Sequence, residues 1–181
     1  MSVLLRYRCQ TGQTWSESHT LTQVTQPHGE SPSGFEQNWR MTYEVAERKG
    51  DRQRICWTRS ADGEEPQQGE MWIDELGQVL LEGHWTAPLL PEAAVRLDEI
   101  WTIDPSPLGV AMHFRLETLT EQNATLVSYA EKEQAKGKFD VRSSMLLCRE
   151  TGRVRSSSTV TRTEQPHQVV SSVTEVRADG F

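Results

Sequence analysis

The side chains of this chain that could do chemistry include five histidines and a cluster of carboxylates. The histidines are His19, His28, His84, His113 and His167. No two of them have the spacing of a zinc protease helix or of a zinc finger. Surface or strand-edge positions explain them better, so the sequence predicts no metal site and no cofactor.

The carboxylates Glu70, Asp74, Glu75 and Glu82 lie in one stretch, GEMWIDELGQVLLEGHW. General acid and base catalysis needs two carboxyl groups held at a defined separation in a cleft. Acids on turns and on polar strand faces are commoner. We therefore expect no catalytic residue here, and an acid/base enzyme that uses carboxylates stays as an alternative function.

Signatures of nucleophilic catalysis and of phosphate binding are also missing from the sequence. It contains no G-x-S-x-G and no G-x-x-x-x-G-K-[ST]. The serine runs Ser143-Ser144 and Ser156-Ser157-Ser158 sit in strand patterns, where we expect solvent-facing polar positions. The chain is therefore expected not to be an enzyme.

Aromatic residues are the strongest remaining indication of a binding site. If they line one concave face of a sheet, they could bound an apolar pocket, and otherwise they fill the core. The first function hypothesis is a non-catalytic interaction or accessory module with an unknown protein partner. The alternative is a carrier of a small apolar ligand or lipid in a Trp-lined cavity. The candidate ligand-binding residues are Trp39, Tyr43, Trp57, Trp72, Trp85 and Phe114.

Composition and charge exclude several classes of partner. With 19 basic and 26 acidic residues among 181, the formal net charge is -7. That balance disfavours nucleic acid, whose binding depends on neutralising phosphates, and also disfavours anionic lipid surfaces. No apolar run approaches the roughly 20 residues of a membrane-spanning helix. The sequence therefore predicts no nucleic-acid partner and no transmembrane segment.

The cysteines and the N-terminus bear on cellular location. Cys9, Cys56 and Cys148 are far apart and show no C-x-x-C spacing, which favours reduced thiols. The opening MSVLLRYRCQTGQTW lacks the basic and long apolar regions of a signal peptide. We expect a cytoplasmic protein, or an envelope protein if the sequence is a mature form whose leader was removed.

Alternation of apolar and polar residues predicts the fold. The period of two in Trp39–Val45, followed by a charged Gly-containing turn and the run Arg54–Arg59, is typical of a β-hairpin. The next predicted hairpin has its turn at Gly77. We expect the side chains of Val79, Leu81 and Trp85 to share one face of it. We expect one all-β domain over residues 1–181, a curved antiparallel sheet or open barrel of about ten to twelve strands. At most a short helix is expected, over Pro91–Leu97.

Two half-units, 1–90 and 91–181, are suggested by weak internal similarity. Gly77 aligns with Gly152 at an offset of 75, and Trp39-Arg40-Met41 meets Phe114-Arg115-Leu116 at the same offset. At an offset of 86, the alignment pairs Gly12-Gln13-Thr14-Trp15 with Asp98-Glu99-Ile100-Trp101. If both halves turn alike, Gly77 and Gly152 should both have positive φ, which glycine adopts readily.

The stretches LLRYRCQTGQTW, RLDEIWTIDPSP and CRETGRVRSSSTVT resemble those of a group of bacterial β-rich proteins of unknown function. In that group a strand leads into a Gly-x-x-Trp turn, and a Gly turn precedes a Ser/Thr-rich strand. The resemblance covers most of the chain and implies a curved antiparallel sheet of an envelope-protein type. It implies no catalytic residues. Members usually follow an export signal, which this chain does not show.

Overall fold

The protein is described here by a computed structural model that covers residues 2–104, 106, 110–134 and 137–179. Over these residues the fold is all-β, as the alternation predicted. No helix is present in the described residues, so none there is long and apolar enough to cross a membrane. The strands are β1 (Ser2–Val3), β2 (Thr14–Pro27), β3 (Ser33–Lys49), β4 (Arg52–Ala61), β5 (Gln67–Asp74), β6 (Leu80–Leu81), β7 (His84–Trp85), β8 (Val95–Arg96), β9 (Ile100–Ile103), β10 (Met112–Leu119), β11 (Asn123–Gln134), β12 (Gly137–Cys148), β13 (Val154–Gln165) and β14 (Gln168–Asp179).

Ten of these strands form one antiparallel sheet in the order β5-β4-β3-β2-β14-β13-β12-β11-β10-β9. Every neighbouring pair is antiparallel, so the chain runs as two meanders joined where β2 pairs with β14. Strands β5 and β9 are the edges of the sheet within the described residues. The strand pairs β1-β8 and β6-β7 lie outside it.

The two faces of the sheet differ in chemistry, because successive side chains of a strand point to opposite sides. We call the face that carries Trp15, Ile55 and Phe114 the inner face. All three side chains are buried. The other, outer face carries exposed ion pairs such as Arg40 with Asp179, 2.8 Å apart. Such pairs contribute little stability, at most about 1 kcal/mol each, so burial on the inner face holds the fold together.

Two hydrophobic clusters fill the inner face. The first lies over β10–β12 and the second over β2–β5. Tyr7 packs against both clusters and so links them. The first cluster consists of Val3, Leu5, Leu90, Val95, Leu116, Ala124, Leu126 and Leu147, and the second of Cys9, Trp15, Val45, Ile55 and Ile73.

The buried side chain of Gln53 ties the N-terminal segment to β4. Its Oε1 accepts a hydrogen bond from the Cys9 backbone N–H at 2.8 Å, and its Nε2 donates to the Tyr7 carbonyl at 2.9 Å. Gln53 is fully buried. A buried amide is tolerated here because two backbone groups that would otherwise be unpaired become satisfied.

The segment Pro91–Leu97, for which at most a short helix was expected, contains no helix. Val95 and Arg96 form β8 instead, and Val95 pairs with Val3 of β1. Val95 is only 3 % exposed within the first cluster. Helix propensity over so short a segment is a weak preference, and burial of Val95 against the sheet overrides it.

The expectation that Val79, Leu81 and Trp85 share a face along one strand is also wrong. Glu82 and Gly83 have φ of 49° and 84°, and they form a tight turn that reverses the chain. Leu81 therefore pairs with His84, and Leu80 with Trp85, in the β6-β7 hairpin. Positive φ at two successive residues is typical of a type I′ turn, which commonly joins the two strands of a hairpin through a two-residue loop.

The two halves of the chain use matching hydrogen bonds before their first long hairpin. Gly12 N–H donates to the Val45 carbonyl at 2.8 Å, and Asp98 N–H donates to the Leu116 carbonyl at 2.8 Å. Gly12 and Asp98 both have positive φ, 82° and 62°. The offset of 86 that relates Gly12 to Asp98 is the one predicted from the sequence.

A stacked aromatic pair follows each of these turns. Trp15 stacks on Tyr43 with ring centroids 4.9 Å apart, and Trp101 stacks on Phe114 at 5.6 Å. The ring stacked on Trp101 is thus that of Phe114, and the ring stacked on Trp15 is that of Tyr43, whereas the sequence alignment matched Phe114 with Trp39. Gly77 and Gly152 have φ of 77° and 69°, which confirms the prediction of positive φ at both.

Candidate ligand-binding cavity

A cavity of about 390 Å³ lies against the inner face of the second meander. Its floor comes from β9–β13 and its cover from the segment 77–89, which follows β5 and is here called the lid. The lining is almost entirely apolar. Floor residues include Ile103, Met112, Phe114, Val141, Met145 and Thr159, and the lid contributes Gly77, Val79, Leu81, Thr86, Ala87 and Leu89.

A row of small side chains makes room for the cavity in the floor. The register places Phe114 opposite Ser128, Ser128 opposite Ser143, and Ser143 opposite Thr159, across four neighbouring strands. The flanking floor positions on β12 are larger, namely Val141 and Met145. A short hydroxyl side chain between larger neighbours leaves space that a close-packed core would otherwise fill.

The hydroxyls of this row are not all satisfied. The Thr159 hydroxyl donates to the Ser143 hydroxyl at 3.2 Å. Ser128 is 4 % exposed, and its Oγ has no hydrogen-bond partner among the described residues. A buried hydroxyl without a partner costs about 1–3 kcal/mol. Ser128 is therefore a polar group in the cavity wall that a bound molecule could satisfy.

Local hydrogen bonds shape the lid. The Asp74 carboxylate accepts from the backbone N–H groups of Leu76 and Gln78, both at 2.9 Å. The Val79 N–H donates to the Thr86 hydroxyl at 2.8 Å, and the Thr86 N–H returns a bond to the Val79 carbonyl at 2.9 Å. The lid therefore has its own framework, independent of what fills the space beneath it.

Leu81 marks the mouth of the cavity. It lines the cavity and is nevertheless 56 % exposed. It stands on the β6-β7 hairpin, which makes no ladder with the main sheet. The exposed part of this leucine therefore adds apolar surface beside the cavity.

The six aromatic residues expected to bind ligand do not line one cavity. Of those whose side chains the structure describes, Phe114 alone contributes to this wall. Tyr43 and Trp57 face each other across β3 and β4 on the inner face of the first meander. Trp85 belongs to β7, but its side chain lies outside the described residues.

Trp39 and Trp72 lie in different surroundings from each other. Trp39 is on the inner face, with His19 stacked on it at 5.1 Å and the Arg59 guanidinium 5.6 Å from its ring centroid. Trp72 points to the outer face, where the Lys49 ammonium lies 5.5 Å from its ring centroid. Because the two rings are on opposite faces, one cavity cannot be lined by both.

Tyr43 is part of a polar cluster at the centre of the first meander. Burial, and after it the charge of Glu17 and a hydrogen bond to its carboxylate, raise the pKa of the Tyr43 phenol well above its ordinary value. The Trp15 indole N–H donates to the same carboxylate at 3.2 Å. The Glu17 carboxylate thus organises two aromatic rings, with His19 3.3 Å away.

The residues that sequence reasoning missed are the small ones in the floor. Ser143 was expected to face solvent, but it lies on the inner face with Val141 and Met145, while Ser144 is the exposed neighbour. The parity of β12 was the available signal. Every second residue of a strand points to the same face. Ser143 therefore shares a face with the apolar residues Val141, Met145 and Leu147.

The carboxylates of the opening stretch have structural roles in the described residues. Glu75 contacts Arg8 at 3.4 Å and Arg48 at 3.2 Å. Glu70 contacts Arg54 at 3.0 Å, Asp74 caps the turn into the lid, and Glu82 lies in the exposed β6-β7 turn. None of the four acids is among the described residues that line the apolar cavity.

No protein-family model matches the chain, and no curated protein matches it significantly.

Proposed function

We propose that this protein binds a small apolar molecule in the cavity under the lid, as a carrier of an apolar ligand or lipid. The observation that supports this most directly is the nearly all-apolar cavity of about 390 Å³. Ligand-binding cavities commonly measure about 300–1,000 Å³ and combine apolar walls with a few placed polar groups. Ser128 is such a polar group.

The ligand expected from this wall is mostly hydrocarbon with one group that can hydrogen-bond. The apolar floor and lid would bury the hydrocarbon part, which stabilises the complex by about 25 cal/mol for each Å² of apolar surface removed from water. The Ser128 hydroxyl would bond to the polar group. A ligand carrying a charge would find no counter-charge among the described residues of the lining.

A pair of neighbouring substitutions tests the proposal. Ser143→Leu should fill the cavity and weaken binding of the fluorescent probe N-phenyl-1-naphthylamine by about tenfold or more, since roughly 1.4 kcal/mol corresponds to a factor of ten. Ser144→Leu is the matched control, because it makes the same change at an exposed outer-face position of the same strand. It should alter the dissociation constant less than twofold.

Native mass spectrometry of freshly purified protein completes this test. An additional mass that survives purification of the wild type and is absent from Ser143→Leu would identify the ligand. A clean mass for the wild type, together with equal probe binding by both variants, would contradict the proposal. The hypothesis of an interaction module would then be preferred, and its protein partner would be the next object of search.

We also propose that residues 1–90 and 91–181 arose by duplication of one half-unit. The matching turns at Gly12 and Asp98, and the stacked pairs that follow them, support this. Both turns are also closed by a hydrogen bond from a backbone N–H to the side chain three residues later. Gln13 Oε1 accepts from the Gln10 N–H at 3.1 Å, and Glu99 Oε2 accepts from the Arg96 N–H at 2.7 Å.

Homologous sequences would test the duplication. Their two halves, aligned at an offset of 86 before the first hairpin and 75 at the glycine turn, should agree more often than randomly paired segments. Agreement no better than that of shuffled sequences would contradict it. The resemblance to bacterial envelope-type β-rich domains stays a prediction, which the same sequences would decide.

A further inference from the structure

A second, polar pocket of about 740 Å³ lies where the N-terminal segment passes the turn between β12 and β13. It is separate from the cavity under the lid, since no described residue lines both. Cys9 and Cys148 both lie in its wall, and both are free thiols. The pocket therefore brings together two cysteines from opposite ends of the chain.

Backbone contacts hold these two cysteines near each other. The N–H of Arg8, the residue before Cys9, donates to the Thr151 carbonyl at 2.8 Å. Cys148 belongs to the same turn, because its carbonyl accepts from the Gly152 N–H at 2.8 Å. Burial is the main cause that raises the pKa of the Cys9 thiol, and the charge of Cys148 raises it further. The two sulfur atoms therefore lie within reach of each other's charge.

Hydrogen bonds prepare the Cys148 thiol for reaction. Burial acts to raise its pKa, yet the hydrogen bonds outweigh burial and lower it. They come from the Thr151 hydroxyl, from the backbone N–H groups of Thr151 and Glu150, and from Arg155. The thiolate is the form of cysteine that attacks an oxidant. Cys148 is therefore the more reactive thiol of the two, and it faces the pocket through which a small oxidant would enter.

Cys9 has the opposite surroundings. It is fully buried in the second hydrophobic cluster, and burial raises the pKa of its thiol to about 11. At neutral pH this thiol keeps its proton, so a dissolved oxidant does not react with it first. An unreactive thiol beside a reactive one is the arrangement in which the first sulfur is oxidised and the second then bonds to it.

We infer that Cys148 and Cys9 form an oxidation-sensitive pair, in which hydrogen peroxide converts Cys148 to a sulfenic acid and Cys9 then closes a disulfide. In the first step the Cys148 thiolate attacks one peroxide oxygen, the O–O bond breaks, and hydroxide leaves and takes up a proton. In the second step the Cys9 sulfur attacks the Cys148 sulfur, the S–O bond breaks, and hydroxide leaves with the Cys9 proton as water. Two thiols are thus oxidised by two electrons, and one peroxide is reduced to two waters.

The disulfide would join the N-terminal segment covalently to the turn between β12 and β13. In the reduced protein, the hydrogen bond from Arg8 to Thr151 links these two parts of the chain. A covalent link that closes so long a loop restricts the unfolded chain, so the oxidised protein should unfold at a higher urea concentration than the reduced one. The inference does not depend on the apolar cavity, because different residues carry it.

Peptide mapping of the oxidised wild type tests the inference. Fully reduced protein is treated with a small molar excess of hydrogen peroxide, digested with trypsin without reductant, and analysed by mass spectrometry. The intact chain should stay monomeric and lose the mass of two hydrogen atoms. The peptide that contains Cys9 should be linked to the peptide that contains Cys148, whereas Cys56 should remain a free thiol.

Single substitutions separate the roles of the two thiols. Cys9→Ser should leave the sulfenic acid of Cys148 unresolved, so that dimedone labels it. Cys148→Ser should form no disulfide, and its Cys9 should not react with dimedone. Cys56→Ser is the matched control, because Cys56 lies on the outer face of β4, away from the pocket. It should form the link between Cys9 and Cys148 as fast as the wild type.

Oxidation of Cys56 before Cys148 would overturn the inference, and so would a disulfide that joins two chains instead of closing within one. Equal dimedone labelling of the wild type and Cys9→Ser would show that Cys9 does not resolve the sulfenic acid, and would overturn it too. Circular dichroism checks the fold of each variant, and the wild-type peptide map decides the question even if a variant misfolds. Binding of N-phenyl-1-naphthylamine should be unchanged in Cys148→Ser, which separates this pocket from the cavity under the lid.

Discussion

Replacing Gly152 with alanine is expected to lower the free energy of unfolding by about 3–4 kcal/mol. Gly152 has φ of +69°, a conformation that costs a residue with a Cβ about 1–3 kcal/mol. A Cβ added there would also lie 2.2 Å from the backbone carbonyl oxygen of Arg6. Forcing such a close contact adds a further cost of about 1–3 kcal/mol.

The clash cannot be relieved by a side-chain rotation, because the atom it meets belongs to the backbone. The N-terminal segment would have to move away from the β12–β13 turn. That movement would break the hydrogen bond from the Arg8 N–H to the Thr151 carbonyl, which is 2.8 Å long. It would also loosen the contact of Tyr7 with both hydrophobic clusters.

Gly12→Ala is the matched control for this substitution. Gly12 has a similar φ of +82°, but a Cβ there would meet nothing within 4 Å. Its cost should be that of the strained conformation alone, about 1 kcal/mol. Denaturant unfolding with an unchanged slope measures both values. Equal destabilisation by the two substitutions would show that the approach of Arg6 is unimportant.

The strands were predictable from the sequence because their signal is local. A strand with one buried face must alternate, and the run Trp39–Val45 does so at every step. The glycine turns were predictable for the same reason, since glycine adopts a positive φ more readily than any residue with a Cβ. Thus the hairpins and the conformations of Gly77 and Gly152 followed from short stretches read alone.

The cavity could not be predicted in this way, because its two walls are far apart in the chain. The lid follows β5, while the floor belongs to β9–β13. The sequence prediction rested on tryptophans because their side chains are large and apolar. Large side chains fill space, however, and a cavity forms where side chains are small. Ser128 and Ser143 matter because they are small, and only the register across β11 and β12 shows that they adjoin.

The absence of a helix over Pro91–Leu97, where at most a short one was expected, has a related reason. Local propensity favours a helix there, but Val95 gains more by burial in the first cluster, beside Val3 and Leu5. Those partners lie near residue 1, beyond the reach of any local pattern. Long-range burial also placed Gln53, a polar residue with no apparent role in the sequence, beneath the N-terminal segment.

Stability is expected to fall by about 2–3 kcal/mol between pH 9 and pH 11 through Cys9 alone. Burial raises the pKa of the Cys9 thiol from 9.0 to about 11. The unfolded chain loses this proton near pH 9, whereas the folded protein keeps it until about pH 11. The contribution is therefore fully present below pH 9 and is lost as the pH rises, at about 1.4 kcal/mol for each pKa unit of difference.

Other groups change the size of this alkaline transition. Burial is the main cause that raises the pKa of the Tyr7 phenol, as it is for Tyr43, so both add a loss of the same sign from about pH 10 upward. Cys148 acts in the opposite direction, since the folded protein lowers its pKa and so gains stability as that thiol ionises. The contribution of Cys9 must therefore be isolated by substitution.

The substitution Cys9→Val isolates the contribution of the Cys9 thiol, because valine fills a similar volume and cannot ionise. The free energy of unfolding of the wild type relative to Cys9→Val should decrease by about 2–3 kcal/mol from pH 8 to pH 11, measured by urea denaturation with a reductant present. Val45→Ala, at a buried position of the same cluster, should destabilise the protein by an amount that does not change with pH. If the difference between the wild type and Cys9→Val were also constant with pH, the thiol would titrate alike in the folded and unfolded chains. Cys9 would then have to be in contact with water when folded, contrary to its complete burial in the second cluster.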